Sequence, residues 1–307
     1  MLLRYIRYFL AVAEHENFTR AAEALSISQP TLSQQIRQLE EMVGAPLFER
    51  SARKVGLTDA GELWAEHARR ITQEIDDGMR AIKDVSDLQA GSLAVALTPT
   101  FSSWLLAPLI QAFRQRWPGI SLSINVMNHA AIERKLINHE LDIGVAFGPY
   151  DSPEITASPV FEEQVALMVG PTHPWFSLNA EVSVRQCQEL SLVMLNNEFA
   201  TRQHANAYFR NNGVVPDVAI ETNSISALSA IIASQPLATL LPAQAASHNP
   251  GLHIVNLTPP VPNRQVVLLE RRDSWRSAAS QAFCQLITEF AHNYGASPVY
   301  QTESRSF

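Results

Sequence analysis

The chain has 307 residues, of which 46% are hydrophobic and 17% are charged. This length is more than twice that of a usual domain and the composition excludes a disordered chain, so we expect at least two hydrophobic cores. The formal net charge of −7 argues against nucleic acid as a partner of the chain as a whole, but residues 1–60 hold seven basic and seven acidic side chains and are neutral.

Cysteine usage and hydropathy indicate a cytoplasmic protein without membrane contact. Cys187 and Cys284 are too few for a disulfide framework or a cysteine-rich zinc site. No apolar run approaches the roughly 20 residues that a membrane helix needs. The N-terminal segment MLLRYIRYFLAVAEHE meets charge too early for a secretion signal.

Three short helices are predicted at the start of the chain. Apolar residues at three-to-four spacing mark the first, around residues 6–13. Asn17 can cap a second helix over 18–25, and Ser28 can cap a third that ends at Gly44. Polar side chains cover the outward face of this third helix: Gln29, Thr31, Ser33, Gln34 and Arg37.

A small two-stranded wing is predicted next, where Pro46 and Gly56 bracket four apolar residues around a basic tip. The tip carries Arg50, Arg53 and Lys54. A long helix follows over residues 59–89, with one apolar stripe: Leu63, His67, Ile71, Ile75, Met79, Ile82, Val85 and Leu88. Packing against its own domain is one explanation of this stripe, and a two-helix dimer seam is the favoured one.

After Gly91 short apolar strands alternate with helical segments, which predicts parallel α/β sheets. The first series has strands at 93–97, 122–126 and 143–147 and helices at 103–116 and 130–139. The second has strands at 165–169, 192–195, 218–221 and 238–241 and helices at 183–189, 201–212 and 225–234; a strand at 265–269 and a helix at 276–292 close the chain. The proline-containing stretches 148–159 and 259–262 are predicted crossings between two lobes.

An effector site is predicted beyond the carboxyl ends of these strands, where helix N-termini present free amides. Three such segments are 98–103, 196–202 and 222–226. We predict these effector-binding residues: Thr98, Thr100, Phe101, Ser102, Phe147, Phe199, Thr201, Arg202 and Asn223. For Thr100 and Ser102 taken singly, capping of a helix explains the hydroxyl equally well.

Motifs of catalysis are absent from the sequence. It has no GxSxG, GxGxxG or GxxxxGK segment, and His139–Glu140 lacks the second histidine of a zinc helix. Neither cysteine lies in an evident basic environment that would activate a thiol. We therefore expect neither enzymatic activity nor a metal or other cofactor.

The second and third helices form a helix-turn-helix pattern, the arrangement that places its second helix in the major groove of DNA. Glutamine and arginine can bond base edges, and hydroxyls can reach phosphates. A solvated helix face would also be polar, so the pattern alone leaves DNA reading and an ordinary helical module open.

Residues 18–61, FTRAAEALSISQPTLSQQIRQLEEMVGAPLFERSARKVGLTDAG, resemble the winged helix-turn-helix of LysR-type transcriptional regulators. The resemblance extends over nearly the whole chain and implies an α+β multi-domain protein. It implies a winged helix-turn-helix at 1–58, a linker (dimerisation) helix at 59–90 and a two-lobed α/β effector-binding domain at 91–307, similar to periplasmic binding proteins. Lobe I is expected at about 91–160 and 268–300, and lobe II at about 161–267.

The resemblance also implies the partners. Double-stranded operator DNA with dyad symmetry would be bound by a homodimer that assembles to a homotetramer, with RNA polymerase as a further candidate partner. The helix-turn-helix at 18–37 and the wing would supply the DNA contacts: Gln29, Pro30, Thr31, Ser33, Gln34, Arg37, Arg50, Arg53 and Lys54.

Within the family, EFATR at 198–202, ETNSISA at 221–227 and ATLLP at 238–242 most resemble regulators of cyanate-utilisation operons. This narrower resemblance implies a small linear anion, cyanate or azide, as effector. A small carboxylate in the same cleft is the alternative. The other functional class, a small-molecule enzyme or solute-binding protein with an incidental helical N-terminus, would need neither SQPTLSQQIRQLE nor a basic wing.

Overall fold

The computed structural model describes residues 2–50, 55–84, 91–247, 249, 251–272, 276–293 and 297–298. The chain divides into two compact units, Met1–Ser86 and Asp87–Phe307. None of the helices described combines the length and the apolar character needed to cross a bilayer.

The N-terminal unit consists of four helices and an antiparallel hairpin. Its elements are α1 (Leu2–His15), α2 (Phe18–Ala24), α3 (Gln29–Val43), β1 (Phe48–Arg50), β2 (Val55–Leu57) and α4 (Asp59–Asp84). Its core is built from the apolar faces of α1 and α3, where Phe9, Leu32 and Ile36 are fully buried. Ala65 and Ala68 bring the start of α4 into the same core.

The predicted caps of the short helices are confirmed. The Asn17 side chain accepts hydrogen bonds from the amides of Thr19 and Arg20 at 2.8 and 3.1 Å. Ser28 caps α3, and Gly44 ends it with a φ of +81°, in the left-handed region that glycine adopts without strain.

The apolar stripe of α4 is exposed within its unit. Leu63, Ile71, Ile75 and Met79 are exposed large apolar side chains, with Met79 at 59%. Such a stripe fits a partner helix. The structure describes the helix to Asp84, and residues 85–90 and the side chain of Ile82 lie outside the description.

The C-terminal unit alternates strands and helices. In chain order its elements are β3 (Gly91–Leu97), a 3₁₀ helix (Pro99–Ser103), α5 (Leu106–Arg116), β4 (Ile120–Val126), α6 (His129–Ile137), β5 (Ile143–Phe147), β6 (Ile155–Glu163), β7 (Val165–Val169), β8 (Val182–Ser183), a second 3₁₀ helix (Val184–Glu189), β9 (Ser191–Leu195), α7 (Ala200–Asn211), β10 (Asp217–Thr222), α8 (Ile225–Ser234), β11 (Ala238–Pro242), α9 (Gln244–Ser247), β12 (His253–Val255), β13 (Leu257–Thr258), β14 (Arg264–Arg271), α10 (Ala278–Asn293) and β15 (Ser297–Pro298).

Two sheets define two lobes. Lobe I has the strand order β15-β6-β14-β5-β3-β4, and lobe II has the order β10-β9-β11-β7-β12. Both sheets are mixed, whereas the sequence pattern predicted parallel ones. The β3, β4 and β5 strands are parallel to one another but β14 runs antiparallel to β5 and to β6, and β7 runs antiparallel to β11.

One predicted crossing is partly wrong. The second half of the stretch 148–159 belongs to β6, and the chain leaves lobe I only after Glu163. Pro159 suggested a loop because proline cannot donate to a ladder, but it lies at a register shift where Val266 opposes Phe161 and Val267 opposes Pro159. The return strand begins at Arg264, so both strands run past the predicted lobe boundaries at 160 and 268.

Candidate functional site

The outward face of α3 is open to solvent. Gln29, Pro30, Thr31, Gln34 and Arg37 are exposed, and Ser33 is half-buried. The Gln29 amide donates to the Ser33 hydroxyl at 2.9 Å. Gln34 and Arg37 are one turn apart, so they present a glutamine and an arginine side by side on one face.

The inner side of α3 is held in place by polar contacts as well as by its core residues. The hydroxyl of Tyr5 on α1 donates to the Gln38 side chain at 3.0 Å, and Gln35 also donates to Gln38. The Glu40 carboxylate accepts from the amide of Leu47 at 2.9 Å. These bonds fix α3 relative to α1 and to the start of the hairpin, which makes its outward face a rigid surface.

The predicted two-stranded wing is present as the β1–β2 hairpin. Arg50 is the last residue of β1, and its side chain is outside the described part of the structure. Arg53 and Lys54 lie outside the described residues, so their roles stay predictions.

A cavity of about 470 Å³ lies between the two lobes of the C-terminal unit. All three predicted strand-end segments contribute to it, with Ser102, Phe199 and Asn223 among its walls. The full lining is Pro99, Ser102, Ser103, Phe199, Asn223, Ile225, Ser226, Ser229, Leu241, Ala245, Asn249 and Leu252. Its size falls in the usual range for small-molecule pockets, about 300–1,000 Å³.

The described lining of this cavity carries hydroxyls and amides but no charged side chain. The hydroxyls of Ser102 and Ser103 donate to the carbonyl oxygens of Pro99 and Thr100 at 2.6 and 2.7 Å. Ser224 caps α8 by accepting from the Ala227 amide, so the N-terminus of a ten-residue helix lies at the cavity wall formed by Asn223, Ile225 and Ser226. A helix N-terminus favours negative charge.

Six of the nine predicted effector-binding residues do not line the cavity. They are Thr98, Thr100, Phe101, Phe147, Thr201 and Arg202, and all six are buried. Phe101 and Phe147 stack on each other with ring centroids 4.9 Å apart, as part of the lobe I core. The structure places these six residues behind the wall rather than on it. Their binding roles stay predictions.

Arg202, the single cationic residue among the predicted strand-end segments, is engaged by the protein. Its guanidinium donates to the carbonyl oxygen of Leu195 at 2.6 Å and to Glu221 at 2.9 Å, and its Nε donates to Asn206 at 2.9 Å. The charge of Arg202 is therefore compensated within lobe II, and an anion in the cavity would depend on hydroxyls and amides.

Sequence reasoning missed a buried ion pair where the chain crosses between the lobes. Glu163 ends β6 and Arg264 begins β14, and the two face each other in the antiparallel register. Glu163 accepts from Nε of Arg264 at 2.7 Å and also from Nη2. Burial raises the pKa of Glu163 and lowers that of Arg264, and in each case the charge of the other residue opposes the shift. In the sequence, Glu163 and Arg264 stand only as charged residues a few positions after the two predicted crossings, 148–159 and 259–262.

The described residues contain no group of three or more His, Cys, Asp or Glu side chains placed to hold a metal ion. The two cysteines belong to different cores, Cys187 to that of lobe II and Cys284 to that of lobe I. Burial raises the pKa of the Cys187 thiol to about 11 and that of the Cys284 thiol to about 12. A raised pKa disfavours the thiolate, which is the nucleophilic form of cysteine.

Two family matches cover most of the chain. Residues 3–62 match the bacterial regulatory helix-turn-helix protein family of lysR type. Residues 86–291 match the LysR substrate binding domain.

Curated relatives span almost the same length. A probable RuBisCO transcriptional regulator of Cyanidioschyzon merolae is 30% identical over 92% of this chain and 96% of its own. The DNA-binding transcriptional dual regulator OxyR of Escherichia coli is 29% identical over 89% of this chain and 90% of its own.

Solved structures share the fold. A full-length OxyR variant of Pseudomonas aeruginosa has a TM-score of 0.71 at 24% identity and covers 94% of both chains. Full-length CbnR in complex with its target DNA has a TM-score of 0.69 at 22% identity, over 94% of this chain and 99% of that one.

Proposed function

The chain belongs to the LysR family of DNA-binding transcriptional regulators, which are not enzymes, and on that premise we propose that it reads an operator through α3 and answers to an effector bound between its lobes. The exposed polar face of α3 supports the first part. Gln34 and Arg37 are of the types that bond base edges bidentately, and the rigid attachment of α3 keeps them in register. Arg50, Arg53 and Lys54 of the wing would contact phosphates.

The proposed DNA surface also explains how the neutral segment 1–60 of an acidic chain can bind a polyanion. Affinity depends on the charges that face the duplex, and several copies bound side by side add phosphate contacts. A footprint of the full-length protein on the DNA beside its own gene tests this. Protection of a dyad-symmetric site that is lost in a Gln29, Gln34 and Arg37 triple alanine variant is expected, and unchanged protection by that variant contradicts the proposal.

We propose that the exposed stripe of α4 forms the dimer seam, because a row of large apolar side chains on a single helix calls for a matching row. A two-fold dimer would match a dyad in the operator. Assembly of two dimers into a tetramer, through contacts of the C-terminal units, is the further step that the family resemblance implies.

For the effector we propose a small linear anion, cyanate or its mimic azide. The three segments that carry the narrower resemblance to regulators of cyanate-utilisation operons all contribute to the cavity wall. EFATR supplies Phe199, ETNSISA supplies Asn223, Ile225 and Ser226, and ATLLP supplies Leu241. The amides at the start of α8 and the neighbouring hydroxyls are suitable donors for an anion without a cationic side chain.

A small carboxylate is the second candidate, and the size of the cavity favours it. A three-atom ion fills about two water volumes, roughly 60 Å³ at 30 Å³ each, so a cavity of about 470 Å³ has room for a larger ligand. Its apolar wall of Phe199, Leu241 and Leu252 suits a hydrocarbon portion, and the same amides at α8 would receive the carboxylate.

Calorimetric titration of the full-length protein with cyanate, azide and a panel of small carboxylates separates the two candidates. Asn223→Ala and Ser226→Ala remove lining groups, and Asn211→Ala, at the exposed end of α7, is the matched control. A heat of binding with cyanate that is smaller in both lining variants supports the first proposal. Heat with a carboxylate alone supports the second, and binding that neither lining variant alters removes the cavity as the effector site.

Several relatives are hydrogen peroxide-inducible genes activators, but peroxide sensing is not what we propose for this chain. Oxidation by peroxide proceeds through a thiolate, and the raised pKa values of Cys187 and Cys284 keep both thiols protonated at neutral pH. Their placement in separate cores also opposes a disulfide between them.

A further inference from the structure

Arg264 contacts both lobes and both chain crossings at once. It is the first residue of the return strand β14, and it pairs with Glu163, the last residue of the outgoing strand β6. Glu163 is 0% exposed and Arg264 is 6% exposed. The chain leaves lobe I after Glu163 and returns to it at Arg264, so this pair lies where a movement of one lobe against the other must bend the chain.

On the lobe I side, Arg264 packs against Phe147, which lies behind the wall of the cavity. The guanidinium carbon lies 3.5 Å from the centroid of the Phe147 ring. Phe147 in turn stacks on Phe101, which belongs to the same 3₁₀ helix as the lining residues Ser102 and Ser103. Close packing transmits displacement, so a shift of this 3₁₀ helix would displace Phe147 and with it the Arg264 guanidinium.

On the lobe II side, Arg264 holds α7. Its Nη2 donates to the Thr201 hydroxyl at 2.9 Å. Thr201 lies in the first turn of α7, and Phe199, the N-cap residue of that helix, lines the cavity. One guanidinium thus links Phe147, behind the lobe I wall, to Thr201, behind the lobe II wall, through one aromatic contact and one hydrogen bond.

The return crossing reinforces this link. Nε2 of His204 donates to the carbonyl oxygen of Pro262 at 2.7 Å, and the Tyr208 hydroxyl donates to that of Pro259 at 2.5 Å. Together with Thr201 these residues occupy positions 201, 204 and 208, which form one face of a helix. The crossing therefore runs along α7 and is bonded to it at three levels.

We propose that Arg264, oriented by Glu163 and bonded to Thr201, is the positioning residue that couples occupancy of the cavity to the relative placement of the two lobes. The inference rests on the proposed effector site, since it names the regulation of that site. A bound effector touches Phe199 and the 3₁₀ helix, and both of these elements reach Arg264 by contacts already present. Arg264 does not itself line the cavity.

The test uses spin-label distances between the lobes in the full-length protein. Labels at the exposed Ser123 on β4 and the exposed Val215 before β10 report lobe I and lobe II. Cys187→Ala and Cys284→Ala remove competing thiols, and dilution with unlabelled chain removes distances between subunits. Thr201→Val deletes the hydroxyl that Arg264 bonds and leaves the Glu163–Arg264 pair intact.

Thr239→Val is the matched control. Thr239 is fully buried on β11, and its hydroxyl has no hydrogen-bond partner in the described part of the chain, so the same chemical change there breaks no contact. Thr201→Val is expected to add a second interlobe distance or to broaden the distribution. The melting temperatures of Thr201→Val and Thr239→Val are measured as well, to establish that both variants are folded. Thr239→Val is expected to give the parent distribution.

Glu163→Gln supplies a second variant that acts on the pair itself, and it is expected to broaden the distribution further. A parent-like distribution in Thr201→Val and in a folded Glu163→Gln overturns the inference. The arms without ligand keep this result separate from the proposed function. If cyanate, azide and the carboxylates leave the parent distances unchanged while Thr201→Val alters them, the coupling residue stands and the effector assignment fails.

Discussion

A Cβ atom at Gly61 would lie 2.0 Å from the backbone carbonyl oxygen of Leu47. The first turn of α4 therefore approaches the segment before β1 as closely as only a glycine allows. The Thr58 side chain strengthens the same junction, since its hydroxyl donates to the carbonyl oxygen of Pro46 at 2.7 Å and accepts from the Gly61 amide at 3.0 Å. The LTDAG segment is thus a packing requirement of the winged unit.

Gly61→Ala is expected to lower the free energy of unfolding of the N-terminal unit by about 1–3 kcal/mol, because the backbone must move to admit the methyl group. Gly78 is the control, since a Cβ there meets no atom within 4 Å. Gly78→Ala should raise stability by about 0.5–1 kcal/mol through helix propensity. Calorimetric melting of the full-length variants measures both, and equal melting curves for the two would refute the steric argument.

The regular elements could be predicted because their signals are local. Caps at Asn17, Ser28 and Gly44 and apolar spacing defined α2 and α3, and the helix at 225–234 was predicted to the residue. The strand β6 was missed because Pro159 is tolerated at a bulge that no local pattern reveals.

The cavity could be located but not fully assigned. The rule that ligands bind beyond strand ends led to Ser102, Phe199 and Asn223. The rule does not say which neighbouring side chains turn inward, so Thr100 and Thr201 were predicted although both are buried behind the wall. Asn249 and Leu252 lie between α9 and β12, in a connection whose sequence has no periodic apolar pattern. The position of Arg264 could not be predicted because it depends on pairing with Glu163, 101 positions earlier in the chain.

Base reading by α3 gives a prediction that separates two kinds of DNA contact. Gln34→Ala should relax the preference at one operator base pair by about 1–3 kcal/mol. Arg53→Ala, at a position predicted to contact phosphate, should weaken all sequences alike and reduce the salt slope by about 1. Gln111→Ala, an exposed glutamine on α5, is the control. Binding competitions over a set of single-base operator variants measure these effects, and an unaltered ranking for Gln34→Ala would remove that residue from the reading set.

The dimer seam predicts that Ile75→Asp with Met79→Asp dissociates the protein, since the two side chains are 40% and 59% exposed within their unit and would place like charges at the two-fold contact. Sedimentation equilibrium should show a smaller assembly. Operator affinity should fall because a dissociated chain can contact only one half of a dyad-symmetric site. Arg69→Asp, on another side of α4, should sediment like the wild type. A double variant with the wild-type mass argues for packing of the stripe elsewhere.

Thiol chemistry gives a prediction with a defined pH window. The pKa of Cys187 is raised to about 11, above the usual thiol value of about 8.5. Its stabilising contribution is therefore complete below about pH 8.5 and is lost as the pH rises toward 11. Native protein at pH 7 should react slowly with iodoacetamide and should keep its operator affinity in hydrogen peroxide, whereas unfolded chain should label at both cysteines. Rapid labelling of Cys187 in the native protein, followed by mass spectrometry, would contradict the assignment.

The Glu163–Arg264 pair predicts that stability and coupling can be separated. Replacing Glu163 alone by Leu leaves a buried guanidinium without its counter-charge and should cost about 3–5 kcal/mol of unfolding free energy. Adding Arg264→Met removes the unpaired charge, and because buried ion pairs exchange for apolar residues at little net cost, the double variant should regain most of that loss. It has lost the bond to Thr201, so it should melt near the wild-type temperature and still show the broadened interlobe distances expected of Thr201→Val. A double variant as unstable as Glu163→Leu would mean that packing around the pair, rather than its charges, sets the stability. A stable double variant with the wild-type distance distribution would show that the lobes are positioned by other contacts.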